Sequence, residues 1–196
     1  MILVDDFYYF EDQDPNWILG LKKEIWEDQE YTRYGLDIKE GDIVLDCGAN
    51  VGVFSRFALD KGAQHVYSFE CDSPVFELLK LNLTDYSNIS LIKGYISDRF
   101  EFEHFNFQTI LSMFNLDKVD FAKIDIEFWE YPLLLNMPID TLTKVKQYAI
   151  EVHDIYNNGY QILQILEKFS QNGYNINFEH IHKNTNLGMI YAKKNL

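Results

Sequence analysis

The chain has 196 residues and a formal net charge of −14, from 31 Asp and Glu against 17 Lys and Arg. That length suits one domain with a sizeable core, in which ~70% of the unfolded surface is buried, and 47% hydrophobic with 24% charged residues is a globular composition. The acidic balance, with no run of Lys or Arg, argues against a nucleic-acid substrate or an anionic membrane, because neutralised phosphates supply much of the affinity in such complexes.

No stretch reaches 18 apolar residues, and the N-terminus lacks the basic and apolar regions of a signal peptide. Cys47 and Cys71 are too few for a disulfide framework. Both are expected as reduced, buried thiols, and the protein as cytoplasmic.

In chain order, residues 1–14 are acidic and aromatic and read as an edge strand or flap. Pro15 opens an amphipathic helix carrying Trp17, Ile18, Leu21, Ile25 and Trp26. Residues 1–40 form an N-terminal cap segment, residues 41–196 the core, in one domain overall. Tyr31, Arg33 and Tyr34 lie just before that core, where an aromatic side chain can reach a cofactor. Residues 43–45 make a buried strand closed by Asp46, residues 48–52 a glycine turn, and residues 53–59 a helix. A second strand, 66–69, ends in Glu70. Ser73-Pro74 cap the next helix, which runs to about Asn82, residues 89–92 are a third strand, and Gly94-Tyr95 follow it.

Residues 99–107 alternate charge with Phe100, Phe102, Phe105 and Phe107, the pattern of a hairpin or edge; a short helix is expected at 109–116. The fourth strand spans 119–126 and the fifth 147–152, ending at His153. A helix with Ile162, Ile165, Leu166 and Phe169 on one face leads to two last strands, 174–178 and 188–193. The loop joining them holds His180 and His182. Strands alternating with helices predict an α/β fold, a single-domain, doubly wound, mostly parallel seven-stranded sheet with one closing strand antiparallel. In such sheets ligands bind beyond the carboxyl ends of the strands. That rule gathers Asp46, Glu70, Tyr95, Asp125, Glu127 and His153 around one crevice.

The turn Gly48-Ala49-Asn50-Val51-Gly52 decides the ligand. A dinucleotide fingerprint has glycine where Asn50 stands. Gly48 leaves room for a tight turn or a close ligand, and the N–H groups at the helix start attract a carboxylate. Glu70, 24 residues after Asp46, is at the distance of an acid that holds ribose hydroxyls. The unit therefore suits a nucleoside with a small charged tail. Lys123 and Asp125 share one strand face by the period of two.

Four runs in order resemble the FkbM family of S-adenosylmethionine (SAM) methyltransferases. They are Asp46 to Gly52, Phe69-Glu70, Asp120 to Glu130 with Lys123, Asp125 and Glu127, and Ile150-Glu151-Val152-His153. The resemblance covers about residues 40–155. Two departures stand out: Phe128 replaces a glycine of the family, and Cys71 a proline. It implies a Rossmann-like class I methyltransferase with SAM as cofactor, held by Asp46, Gly48, Ala49, Asn50, Gly52, Glu70, Cys71, Tyr95 and Asp125. Methyl transfer, most often to a hydroxyl oxygen, would use His153 as base, with Asp125 and Glu127 beside it. His153 suits that task if its pKa stays near its ordinary ~6.5. The acceptor is expected to be a small molecule or carbohydrate, with no nucleic acid, no membrane and no metal, and with a homodimer as one open assembly. Two other readings are carried: a SAM- or nucleoside-binding module without activity, and a nicotinamide-dependent oxidoreductase, which Asn50 disfavours.

Overall fold

The structure, a computed structural model, describes residues 1–11, 14–99, 101–181 and 185–195. The expectations placed on Phe100 and His182 lie outside the described residues. The chain begins with a hairpin of β1 (Ile2–Val4) and β2 (Phe7–Tyr9). Asp5 and Asp6 at its tip both have positive φ, 48° and 66°, the backbone that a two-residue hairpin turn needs. Helix α1 (Pro15–Lys22) runs into one π-helical turn and a short 3₁₀ turn. Asn82 pins the hairpin: its Oδ1 accepts the Tyr8 N–H at 2.7 Å, and its Nδ2 donates to Tyr8 O at 3.1 Å and Val51 O at 2.8 Å.

The core then alternates as expected: β3 (Ile43–Cys47), α2 (Val53–Asp60), β4 (His65–Glu70), α3 (Ser73–Asn82) and β5 (Ile89–Lys93). Two short strands follow, β6 (Tyr95–Ile96) and β7 (His104–Phe105), then α4 (Phe107–Met113), β8 (Phe121–Ile124), α5 (Glu130–Asn136) and α6 (Ile139–Leu142). The chain closes with β9 (Gln147–His153), α7 (Gly159–Gln171), β10 (Tyr174–Ile181) and β11 (Leu187–Lys194).

Seven strands form one sheet in the order β5-β4-β3-β8-β9-β11-β10. The first five are parallel, and β11 runs antiparallel to both β9 and β10. The next strand in sequence lies on one side of β3 and β8 on its other side, so the switch point falls between β3 and β8. Both faces of the sheet are covered. Phe121 and Ala149 face the layer holding Ile18, Phe54 and Leu79. Their chain neighbours Ala122 and Ile150 face the layer holding Ile110, Leu134 and Phe169. A sheet buried on both faces explains the near-continuous apolar runs of its strands.

Four details differ from the sequence reading. Helix α3 is capped by Asp72, whose Oδ1 accepts the Val75 N–H at 3.0 Å. Helix α4 starts at Phe107 instead of 109 because Asn106 Oδ1 takes the Thr109 N–H at 2.9 Å. Of the hairpin or edge expected at 99–107, the described residues show His104–Phe105 as the short strand β7, paired in parallel with β6. His180 lies in β10, on its exposed side, not in a loop.

Candidate functional site

The strand–turn–helix unit closes on a buried ion cluster. Asp46 and Lys123 sit opposite each other on β3 and β8. Lys123 Nζ donates to Gly48 O at 2.7 Å and lies 3.4 Å from both Asp46 Oδ1 and Asp125 Oδ2. Its ammonium is over the rings of Tyr31 and Phe54, at 5.4 and 6.0 Å. Burial alone would lower the Lys123 pKa, but Asp46, Asp125 and Glu151 outweigh it and hold the group above its ordinary range. Ser55 Oγ donates to Asp46 Oδ2 at 2.6 Å and takes the hydroxyl proton of Ser68 at 2.6 Å.

Above this cluster the turn is shaped by backbone contacts. The Gly48 and Ala49 N–H groups donate to Phe69 O at 3.0 and 2.8 Å. Gly48 has φ +83°, and a Cβ there would lie 1.8 Å from Asp125 O. Its missing side chain makes room for the Asp125 carbonyl rather than only for a ligand. Gly52 has φ +96°, and a Cβ there would press on Leu79 and Leu83 at 2.9 Å.

A cavity of about 330 Å³ opens beyond the ends of β3, β4 and β8, lined among others by Gly48, Asn50, Glu70, Tyr95, Asp125 and Trp129. Glu70 binds the two loops together: Oε2 accepts the Asn50 N–H at 2.9 Å and Oε1 the Asp72 N–H at 2.7 Å. Each oxygen keeps a lone pair for another donor. Cys71 and Glu127 also border the cavity. Burial pushes the Cys71 thiol up to about 11, so it is a protonated wall and no nucleophile. Asp46, Ala49 and Gly52 are not among the residues that line the cavity.

Next to the cavity, on the ends of β8 and β9, is a second group. His153 is 7% exposed. Glu130 Oε1 accepts the His153 backbone N–H at 2.8 Å and lies 3.1 Å from Nδ1, which therefore carries the ring proton. Nε2 faces Glu127 Oε2 at 3.4 Å and Glu151 Oε1 at 3.8 Å. Burial alone would lower the His153 pKa, but Glu130, Glu127 and Glu151 raise it to about 9. The expectation of an ordinary pKa is therefore corrected. Tyr31 does not line the cavity; its hydroxyl donates to Glu151 Oε2 at 3.1 Å, with Asp125 Oδ2 at 3.4 Å. Burial, with the charge of Asp125 next, raises the Glu151 pKa. Sequence reasoning missed Glu151, Tyr31 and Glu130 as partners of this group. Glu151 was within reach, since it is two residues before His153 on the same strand face.

No family model matches the chain. The 31-O-demethyl-FK506 methyltransferase FkbM of Streptomyces tacrolimicus is 40% identical over 63 residues, 32% of this chain and 24% of that protein. Protein arginine N-methyltransferase 8-B of Danio rerio is 33% identical over 102 residues, 46% of this chain and 23% of that protein. The chain thus spans about a quarter of the length of either relative. Among solved structures, a candidate RNA methyltransferase from Pyrococcus horikoshii superposes with TM-score 0.55 at 18% identity, covering 97% of this chain and 93% of that one. Fibrillarin from Aeropyrum pernix, with bound SAM, gives 0.58 at 16% identity over 83% and 70%.

The fold is that of the class I SAM-dependent methyltransferases. One expectation falls with these likenesses. Proteins that share this fold or resemble part of this sequence are named for RNA and for protein arginine, so neither the exclusion of nucleic acid nor the choice of a small-molecule or carbohydrate acceptor holds. Net charge reports solubility and steering, not the fold or its substrate. Among the described residues no helix is long and apolar enough to cross a membrane.

Two tests follow from the geometry. Gly48→Ala would place a methyl group against the Asp125 carbonyl in a backbone region costly for alanine, so urea unfolding should show a loss of more than ~2 kcal/mol. A wild-type midpoint would refute that packing. His153 binds its proton more tightly folded than unfolded. Its stabilisation is complete below the unfolded pKa of ~6.5 and is lost as pH rises to about 9. Unfolding free energy should therefore fall across that window, Glu151 adding to the fall with the same sign, and the slope should flatten in His153→Ala.

Proposed function

We propose that this chain is a SAM-dependent methyltransferase of the FkbM kind, moving a methyl group to an oxygen acceptor. The observation that carries the reading is the cavity at the switch point, lined by Glu70 and by Asp125 and Glu127, with His153 beside it. SAM supplies an electrophilic sulfonium methyl. Glu70 holds the ribose hydroxyls with its remaining lone pairs, and Asn50 and Gly48 border the amino acid end. Tyr95 and Ile96 flank the base. Asp125 and Glu127 line the cavity, adjoin His153 and orient the acceptor hydroxyl with it; the neutral fraction of His153, which grows as pH rises toward 9, takes the proton as the hydroxyl attacks. The chain's main contribution is positioning, since in-line displacement at a methyl group needs little else. A reducing compartment such as the cytoplasm suits Cys71, whose oxidation would crowd the cavity.

A second reading, binding without turnover, is favoured by Phe128. It occupies the place of a family glycine with φ +72°, and its ring lies 5.4 Å from that of His153. Labelled SAM screened against RNA, peptide and other hydroxyl acceptors decides between the two; tight binding with no transfer would leave only the second.

Glu70→Ala should weaken SAM binding at least tenfold by calorimetry, because each charged hydrogen bond lost costs ~1.5–3 kcal/mol. An unchanged dissociation constant in a folded variant would remove the ribose assignment. With an acceptor in hand, His153→Ala should lower kcat by ~10²–10⁴ while SAM affinity stays within about twofold. Full activity in that variant would make His153 structural.

A further inference from the structure

The group beside the cavity has a use that proton transfer does not exhaust. Asp125, Glu151 and His153 come from the ends of β8 and β9, and one donor atom from each lies within 4.8 Å of the other two. Opposite ligands of an ion with bonds of ~2.0–2.6 Å span about 4–5 Å, so the three could close on one ion with small side-chain rotations.

The histidine adds an observation independent of the carboxylates. It is more than nine-tenths buried, its Nδ1 is committed to Glu130, and its Nε2 makes no hydrogen bond among the described residues. That nitrogen is instead aimed between Glu127 and Glu151. A histidine whose far nitrogen is fixed by a buried carboxylate is the usual support for a metal-ligating imidazole. Glu151 is supported in the same way: Tyr31 holds Oε2, and Oε1 faces the histidine. Lys123 donates to Gly48 O and pairs with Asp46 Oδ1 and with Oδ2 of Asp125, which leaves Oδ1 of Asp125 to face an ion.

We infer that Asp125, Glu151 and His153 bind one divalent cation, with Glu127 at its open side. Two carboxylates and one imidazole suit a cation that takes oxygen and nitrogen ligands together, such as Zn²⁺ or Mn²⁺, better than Mg²⁺. Three protein ligands leave positions open, the arrangement of catalytic rather than structural sites. Asp125 and Glu127 also line the cavity, so the open positions face the space assigned to the acceptor. Binding itself does not depend on the methyl-transfer reading. The consequence drawn from it, that the cation orients the acceptor hydroxyl and makes it more acidic, rests on that reading.

The test is direct titration of the chelator-stripped full chain with Mn²⁺, followed by calorimetry or by the electron paramagnetic resonance of free Mn²⁺, with no methyl donor present. One site per chain is expected, with Zn²⁺ competing more strongly than Mg²⁺. His153→Gln and Glu151→Gln should each weaken Mn²⁺ binding at least tenfold. Glu130→Gln, which touches no ion, should weaken it ~10–100-fold through lost orientation of the ring. If that buried variant does not fold, the His153→Gln and Glu151→Gln measurements carry the test alone. Weak binding spread over several sites, or one site indifferent to His153→Gln, overturns the inference. Because no methyl donor is involved, either result stands apart from the fate of the methyltransferase reading.

Discussion

A lysine buried in the middle of a parallel sheet constrains everything around it. Lys123 has 5% of its side chain exposed, and Asp46 none. Taking both charges out of water is costly, and breaking such a pair by removing one partner typically destabilises by ~3–5 kcal/mol. The arrangement holds only because the ammonium also reaches the Gly48 carbonyl and Asp125. One cation thereby ties β3, β8 and the glycine turn into a single unit at the switch point. The Gly48 backbone is drawn down toward Lys123, the Asp125 carbonyl moves into the space a side chain would fill, and the cavity opens just beyond.

A second constraint is local strain at the same strand ends. Asn50 after β3, Glu127 and Phe128 after β8, and Asp154 after β9 all have positive φ without being glycine. Each is in a sparsely populated region of the backbone map. Such residues persist where their surroundings over-determine them, and they gather at functional sites. Here the surroundings are identifiable. Glu70 holds the Asn50 amide, and Asp154 is tied to Asn157 at 2.8 Å. The tight reversals after β8 and β9 leave Glu127 and His153 facing each other across two neighbouring strands.

The sheet was legible in the sequence because a strand buried on both faces leaves a run of apolar residues that few other structures need. The antiparallel closing strand was legible from two extended runs with no helix between them. Strand ends were read less well. The pattern at 119–126 reads as one strand, but the continuous strand is Phe121–Ile124: Val119 makes an isolated bridge to Val145 before it, and the left-handed turn at Glu127 and Phe128 ends it. The cavity wall came through motif spacing for Asn50, Glu70 and Asp125. The supports of His153 did not. Glu130 meets it from α5 and Glu151 from β9 itself, while Tyr31 reaches Glu151 from the turn before the core, and no spacing rule joins Tyr31 to residue 151. The pKa of His153 was misjudged for the same reason: its shift is a property of that assembly, not of the residue.

Net charge was the weakest guide, and the rim of the cavity shows why. Its exposed surface is built from rings more than from charges. Tyr95, 44% exposed, stacks on His104 at 5.0 Å with 16° between planes. The Arg99 guanidinium covers Trp129 at 4.5 Å, and Phe128 stands over His153. Aromatic faces accept planar groups of nucleic acid, protein or other molecules alike, because stacking depends little on which π-face is offered. An acidic total of −14 is spread over the whole surface and is screened within about 10 Å at moderate salt. It weakens the approach of a polyanion from a distance but does not decide what stacks at the rim. The carboxylates that do matter are the few at the ends of β8 and β9. Their short-range field favours a cationic group beside the cavity, whichever class of acceptor enters it.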